Sequence, residues 1–295
     1  MTSFGQSLIC FGVPHSSKVH SLINLSDAGF PIVPTLCINI QEWPSLEQLR
    51  TVASWPEQLP LYVRICFDAV EYPHSFYQIC KWDGLKQVFH ILLAQASKFT
   101  KKPCDITIQP HLIERFGGAV AALGDLLIIE AVDGNARGLL REGRFSSRAI
   151  LCGGRLVAEI DGGQQDALFW SRDGYQRRAG KSITWQDIRM LSAFSWCSPT
   201  LYEFCVTQEG NPLFLEAKKL PQDTFFFEDN GAFTIYPSQK VRIRKTFPLP
   251  SLSLCGEFKR NQLQIFTGGA YLSHLSVYAA TKRIPMCFTR QIWSE

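Results

Sequence analysis

Apolar residues recur along this chain in two rhythms, one helical and one alternating. Behind the hydroxyl pair Ser16-Ser17, Val19, Leu22, Ile23 and Leu25 fall at helical spacing, and Gly29 ends the run. Pro31 and Pro34 bracket an exit into an extended segment at 36–40, so residues 7–43 read as a helix packed back onto a strand. Residues 59–67 (LPLYVRICF) read as a buried strand with one charge, Arg64. Residues 85–97 read as a helix, and a further strand begins at 106–109. Residues 126–132 (LLIIEAV) form a strand with one carboxylate, Glu130. Residues 148–151 and 155–160 flank Gly153-Gly154 as a hairpin. Thr184 and Asp187 open a helix that runs to about Trp196, closed by Pro199. A second hairpin joins 201–206 (LYEFCV) to 213–217 (LFLEA) around Glu209-Gly210-Asn211. Residues 221–262 read as a connector with some strand, and a short strand at 263–266 precedes a last helix opened by Ser273-His274.

Several polar residues stand out against these apolar runs. Arg64 inside a core strand needs an anionic partner, because an unpaired buried charge is prohibitive, unless the strand lies at an edge and the side chain reaches water. Glu203 and Glu216 lie on the two strands of one hairpin. Facing carboxylates repel unless a cation lies between them, and Mg²⁺ has the hard-oxygen preference that suits such a pair; two solvated strand acids are the alternative. Gly268-Gly269 after a strand permits a sharp turn with exposed amides, and His274 at a helix start would sit beside unpaired N–H donors. That setting suits a phosphoryl group on the imidazole, a capping histidine without chemistry being the alternative.

Composition narrows the field. The chain has 295 residues, 46% of them hydrophobic and 12% aromatic, enough for a sizeable core and too apolar for intrinsic disorder. Thirty Lys+Arg against 26 Asp+Glu leave a net charge of +4, too mild to argue for nucleic acid. The one basic run, KVRIRK at 240–245, alternates like a strand with a solvated basic face. None of the ten cysteines stands at C-x-x-C spacing, so neither a zinc ribbon nor a redox pair is expected, and their apolar neighbours suggest buried free thiols. No secretory leader pattern opens the sequence and no apolar run reaches the ~18–20 residues of a membrane span. The expectation is a soluble, cytoplasmic protein without nucleic-acid or membrane partners.

The stretch TGGAYLSHLSVYAATKRIP resembles the phosphohistidine motif of the phosphoenolpyruvate synthase and pyruvate phosphate dikinase family, with Gly268-Gly269, Ser273-His274, Ala279 and Ile284-Pro285 at family spacing. Five further segments resemble family motifs in family order. SSKVHSLINLSDAGFPIVPTLCIN is similar to the opening segment and places Lys18 on its ATP-phosphate lysine; YVRICF places Arg64 on a phosphate-binding arginine. ITIQPHL resembles the adenine-binding hinge strand, with Gln109 and Leu112; LLIIEAVDGNARGLL places Glu130 on a family acid. LYEFCVTQEGNPLFLEAKKL is similar to the metal and γ-phosphate hairpin and places Glu203 on its glutamate. Departures are Ser16-Ser17 for two glycines, Ile65-Cys66 for two serines, Leu201 for an aspartate, and Glu216 and Lys218 for glutamine and arginine.

The resemblance implies an α+β fold: an ATP-grasp nucleotide-binding domain over 1–222 with two lobes, a connector over 223–262, and a minimal swivelling phosphohistidine region over 263–295. It implies ATP and Mg²⁺ as cofactors. His274, Lys18 and Arg64 would be catalytic; Lys18, Arg64, Gln109, Leu112, Glu130 and Lys218 would bind the nucleotide; Glu203 and Glu216 would hold the metal. The implied activity is a dikinase-like phosphotransfer through phosphohistidine to a small-molecule acceptor, giving AMP and phosphate. The alternatives are an ATP-grasp ligase that activates a carboxylate or hydroxyl without phosphohistidine, and a nucleotide-binding subunit whose partner protein supplies the acceptor site.

Overall fold

The structure is a computed structural model. It describes residues 8–41, 43–68, 76–100, 103–163, 166–171, 174–221, 225–227, 233–235, 243–247, 250, 254, 262–266, 270–282 and 284–288. The α+β class holds: the chain falls into two compact units, each mixing sheet and helix. The first takes in residues 1–113 with Leu213–Glu216, and the second takes in 114–212 with 217–295.

The first unit comprises β1 (Leu8–Phe11), α1 (Ser17–Asp27), β2 (Thr35–Asn39), α2 (Leu46–Ala53), β3 (Leu61–Cys66), β4 (Phe76–Cys80), α3 (Leu85–Ala96) and β5 (Asp105–Pro110). They build a five-stranded sheet in the order β1-β2-β5-β3-β4, parallel only between β1 and β2. Ser16 caps α1 through its hydroxyl, and Gly29, at φ +78°, supplies the left-handed turn that ends it. Ser45 and Gln48 form a capping box at the start of α2, a helix too polar to stand out in the apolar pattern.

Alternation sorts the strands of this sheet into two faces. Leu36, Ile38, Val63, Ile65, Ile106 and Ile108 line one face and pack with Trp82, Leu85 and Leu92 in a single apolar core. The opposite face carries Cys10, Cys37, Asn39, Tyr62, Arg64, Cys66, Asp105, Thr107 and Gln109. Much of it is buried as well: Cys37, Asn39, Asp105 and Thr107 are each no more than 5% exposed. A buried polar face is costly unless its groups find partners, so this side of the sheet is where chemistry is to be sought.

The second unit comprises β6 (Glu114–Leu123), β7 (Leu126–Asp133), α4 (Arg137–Leu140), β8 (Ser147–Cys152), β9 (Arg155–Asp161), β10 (Asp166–Ser171), β11 (Gly174–Ala179), α5 (Trp185–Ile188), β12 (Thr200–Thr207), β13 (Pro212–Lys219), β14 (Phe225–Phe227), β15 (Phe233–Ile235), β16 (Ile243–Phe247), β17 (Gln262–Phe266), α6 (His274–Lys282) and β18 (Met286–Phe288). Of β13, Leu213–Glu216 belongs to the first unit. A six-stranded sheet runs β13-β12-β6-β7-β8-β9, a five-stranded one runs β14-β15-β18-β17-β16, and β10 pairs with β11. Leu275, Ala279 and Ala280 of α6 join Ala119, Ala121, Ile128 and Leu201 of the larger sheet in one core.

The helix expected to run from 184 to about 196 is shorter. Thr184 and Asp187 do form a capping box, but α5 gives way to a 3-10 turn over Arg189–Ala193. The run expected as a basic strand is described at β16 only, while 240–242 and the Thr267-Gly268-Gly269 turn lie outside the described residues. Of the nine described cysteines, all free, Cys10, Cys152 and Cys197 are exposed rather than buried. Among the described residues no helix is long and apolar enough to cross a membrane.

Candidate functional site

In the first unit the expected phosphate-binding cations meet on the polar side. Lys18, in the first turn of α1, forms an ion pair with Glu216. Arg64 projects from β3 on the polar face, where Nη2 donates to Tyr62 Oη at 3.0 Å and the guanidinium lies 5.2 Å from the Tyr62 ring. Burial would lower the Arg64 pKa, but Tyr62, Cys66 and Glu216 outweigh it and hold the guanidinium above its ordinary value. Its Nε is buried without a hydrogen-bond partner, and among the described residues Arg64 makes no ion pair. Gln109, on the same face and paired in register with Tyr62, donates through Nε2 to Thr35 Oγ1 at 2.9 Å. Leu112 follows β5 and is half-buried.

Asp105 organises the approach to Lys18. Its Oδ2 accepts from the backbone N–H groups of His15 and Ser16, at 2.9 and 2.6 Å, and so fixes the turn into α1. The serine that replaces a family glycine at 16 is thereby a helix cap, 1% exposed. Asp105 was not singled out from sequence; its signal is a lone acid at the edge of an apolar strand.

In the second unit, register places Glu203, Ala119, Glu130 and Arg148 in one row across β12, β6, β7 and β8, all on the face that packs with α6. Glu130 is fully buried and Arg148 is 3% exposed. Arg148 Nε and Nη2 reach Glu130 Oε1 at 2.6 and 2.5 Å, and the guanidinium also lies against the Tyr271 and Phe145 rings. Glu130 completes its coordination with backbone: Tyr271 N donates to Oε1 at 2.9 Å and Leu272 N to Oε2 at 2.8 Å. Arg148 was missed from sequence, although it is a lone charge in an apolar strand just as Glu130 is.

Glu203 Oε1 accepts from Lys218 Nζ at 2.7 Å and lies 3.1 Å from His274 Nε2. The acids assigned to metal are thus each ion-paired with a lysine, Glu216 with Lys18 and Glu203 with Lys218. Among the described residues no group of three or more His, Cys, Asp or Glu side chains could hold a metal by itself. Leu201, which stands for a family aspartate, is a core residue at 1% exposure.

No family model matches the chain, and no curated protein matches it. Solved structures do. D-cycloserine synthetase DcsG is 14% identical at TM-score 0.34, over 68% of this chain and 60% of that one. The ATP-grasp ligase PsnB, complexed with a minimal precursor, is 16% identical at TM-score 0.33, over 68% and 51%. D-alanine–D-alanine ligase from Bacillus anthracis is 12% identical at TM-score 0.36, over 70% and 57%. The chain therefore spans between about half and three fifths of their length. Likeness at this level carries neither fold nor activity across.

The expected kinship with the phosphoenolpyruvate synthase and pyruvate phosphate dikinase family is corrected: no family model matches the chain, and the structures it is similar to include amino-acid ligases and a biotin carboxylase subunit instead. The dikinase activity through phosphohistidine falls with it, and the site gives the physical reason. The Tyr271 and Leu272 amides just before His274 are held by the Glu130 carboxylate and are not open to a phosphoryl group. A phosphoryl group on Nε2 would also set a dianion against Glu203.

Proposed function

We propose that this chain is an ATP-dependent enzyme of the ATP-grasp ligase kind, which activates a carboxylate or hydroxyl substrate directly and without a phosphohistidine. One observation carries the nucleotide reading. Arg64, half-buried on the polar face of a sheet, keeps its charge with a phenol as its only hydrogen-bond partner among the described residues and its Nε unmet. A guanidinium in that setting is completed by an anion with several acceptor oxygens, and a phosphate group is the natural one. Lys18 lies at the same place through Glu216, so the polyphosphate of ATP would meet both cations.

In this reading Lys18 and Arg64 hold the phosphates, and Gln109 and Leu112 lie toward the base. The substrate oxygen attacks the terminal phosphorus, the bridging bond to ADP breaks, and the cations take up the charge on the leaving ADP. Glu216, beside Lys18, is a hard oxygen donor of the kind Mg²⁺ accepts, so it fits an ion that arrives with the nucleotide rather than one the protein holds alone. Bound there, Mg²⁺ would supply charge neutralisation on the phosphates. Glu130 takes no part, since its oxygens serve Arg148 and the two amides.

Isothermal titration with Mg·ATP tests the reading. Binding by the intact chain that weakens in Arg64→Met and Lys18→Met supports it, and absence of binding overturns it. Binding without any turnover across carboxylate and hydroxyl acceptors would favour a nucleotide-binding subunit.

A further inference from the structure

The polar face of the first sheet carries a cysteine pair that the proposed activity does not use. Cys10 and Cys37 are partners in register on the parallel strands β1 and β2. Neighbouring strands lie about 4.8 Å apart, inside the roughly 4.4–6.8 Å between Cα atoms that a disulfide spans. Residues in register project to the same face, so the two sulfur atoms are side by side. Cys10 is exposed, on an edge strand with freedom to adjust, while Cys37 is 2% exposed behind it.

We propose that Cys10 and Cys37 form a redox-modified dithiol, in which Cys10 is the peroxide-reactive thiol and Cys37 resolves it into an intrachain disulfide. The division of roles follows from access: only Cys10 can be reached by an oxidant in solution. The electrostatics agree. The hydrogen bond from Cys37 lowers the Cys10 thiol pKa, outweighing burial and Asp105, whereas that hydrogen bond together with burial raises Cys37. With a hydroperoxide as oxidant, the Cys10 thiolate attacks a peroxide oxygen; an S–O bond forms, the O–O bond breaks, and the departing oxygen leaves as water or alcohol after taking a proton. The Cys37 sulfur then attacks the Cys10 sulfenic acid; the S–S bond forms, the S–O bond breaks and water leaves. Two electrons pass from the dithiol to the peroxide.

The place of this bond gives it a consequence. β1 leads into the turn at His15 and Ser16 that Asp105 holds and that presents Lys18. A covalent tie between β1 and β2 would fix the root of that turn. Cys152 and Cys197 are exposed too and serve as internal controls: Cys152 pairs in register with Leu126 and Arg155, and Cys197 lies outside any strand.

The test is peptide mapping of the intact chain after limited hydrogen peroxide and alkylation under non-reducing conditions. The expected product is one cross-linked peptide joining Cys10 to Cys37, reversed by a dithiol reductant, with Cys10 consumed at least ~10-fold faster than Cys152. Cys37→Ser should stop at a Cys10 sulfenic acid that dimedone traps. Cys10 oxidised no faster than Cys152, or joined to any other cysteine, overturns the proposal. So does over-oxidation of Cys10 in the unsubstituted chain without a bond to Cys37. The mapping needs no variant to fold.

Discussion

Replacing Glu130 with glutamine should cost the second unit several kcal/mol. The carboxylate accepts from the Arg148 guanidinium and from the Tyr271 and Leu272 backbone N–H groups, and it is wholly buried. Glutamine keeps the volume but loses the charge, and it turns an NH₂ donor toward groups that are themselves donors. Removing one partner of a buried ion pair costs about 3–5 kcal/mol, because the other charge stays behind uncompensated. Stability is about 5–15 kcal/mol for a typical domain, so roughly a fifth or more of it would go. With a urea dependence of roughly 1–3 kcal/mol per molar, the midpoint should fall by about 1–5 M. Urea unfolding followed by circular dichroism gives the size, and hydrogen exchange at the Tyr271 and Leu272 amides gives the place. Glu130→Leu with Arg148→Met should be much milder than the sum of the single changes, since no charge is then left unpaired. A single-variant cost under about 1 kcal/mol, with additive double-variant behaviour, would refute the reasoning.

Other expectations follow from single contacts. Burial pushes the Glu114 carboxyl up to about 8 from an ordinary 4.5, against the Ala136 N–H that favours its charged form. The folded form therefore holds a proton that the unfolded form has lost, and stability falls as pH rises from about 4.5 to about 8, by up to about 1.4 kcal/mol per pH unit. Urea midpoints measured across that window should show the slope, and Glu114→Gln should flatten it; an equal slope in both removes Glu114 as the cause. Arg64→Met should weaken Mg·ATP binding by about 10- to 100-fold in calorimetry, the range of a charged hydrogen bond; an unchanged Kd takes Arg64 out of the nucleotide site. Ser45→Ala removes the side-chain half of the α2 capping box, leaving its backbone N–H bonded to Gln48, and should cost about 1 kcal/mol in chemical unfolding, whereas a neutral result would mean the hydroxyl cap contributes nothing.

Where local pattern governs, the sequence was informative. The α1 helix with its serine cap and glycine stop, the strands around Arg64 and Glu130, and the 201–217 hairpin all follow from periodicity and turn residues. Where packing governs, it was not. β6 contains Gly117 and Gly118, which argue against a strand, yet a Cβ on Gly118 would lie 2.0 Å from the Glu130 carbonyl oxygen. Close approach of neighbouring strands demands glycine there, and no local rule could show it. The same holds for the site. A lone Arg64 was readable as a charge in search of an anion, but its Tyr62 partner and orphaned Nε were not. A pair of hairpin acids suggested a cation, and the cations found are lysines 198 and 15 residues away. The histidine motif misled because local spacing cannot reveal a carboxylate 141 residues from Tyr271 that holds the Tyr271 and Leu272 amides ahead of His274.

The most direct measurement is the fate of labelled ATP with candidate carboxylate and hydroxyl acceptors, read together as product nucleotide and as label on the chain. ADP formed only with acceptor, with no label on His274 and with turnover surviving in His274→Ala, is the predicted result. AMP with an acid-labile phosphoryl group on His274 would contradict it.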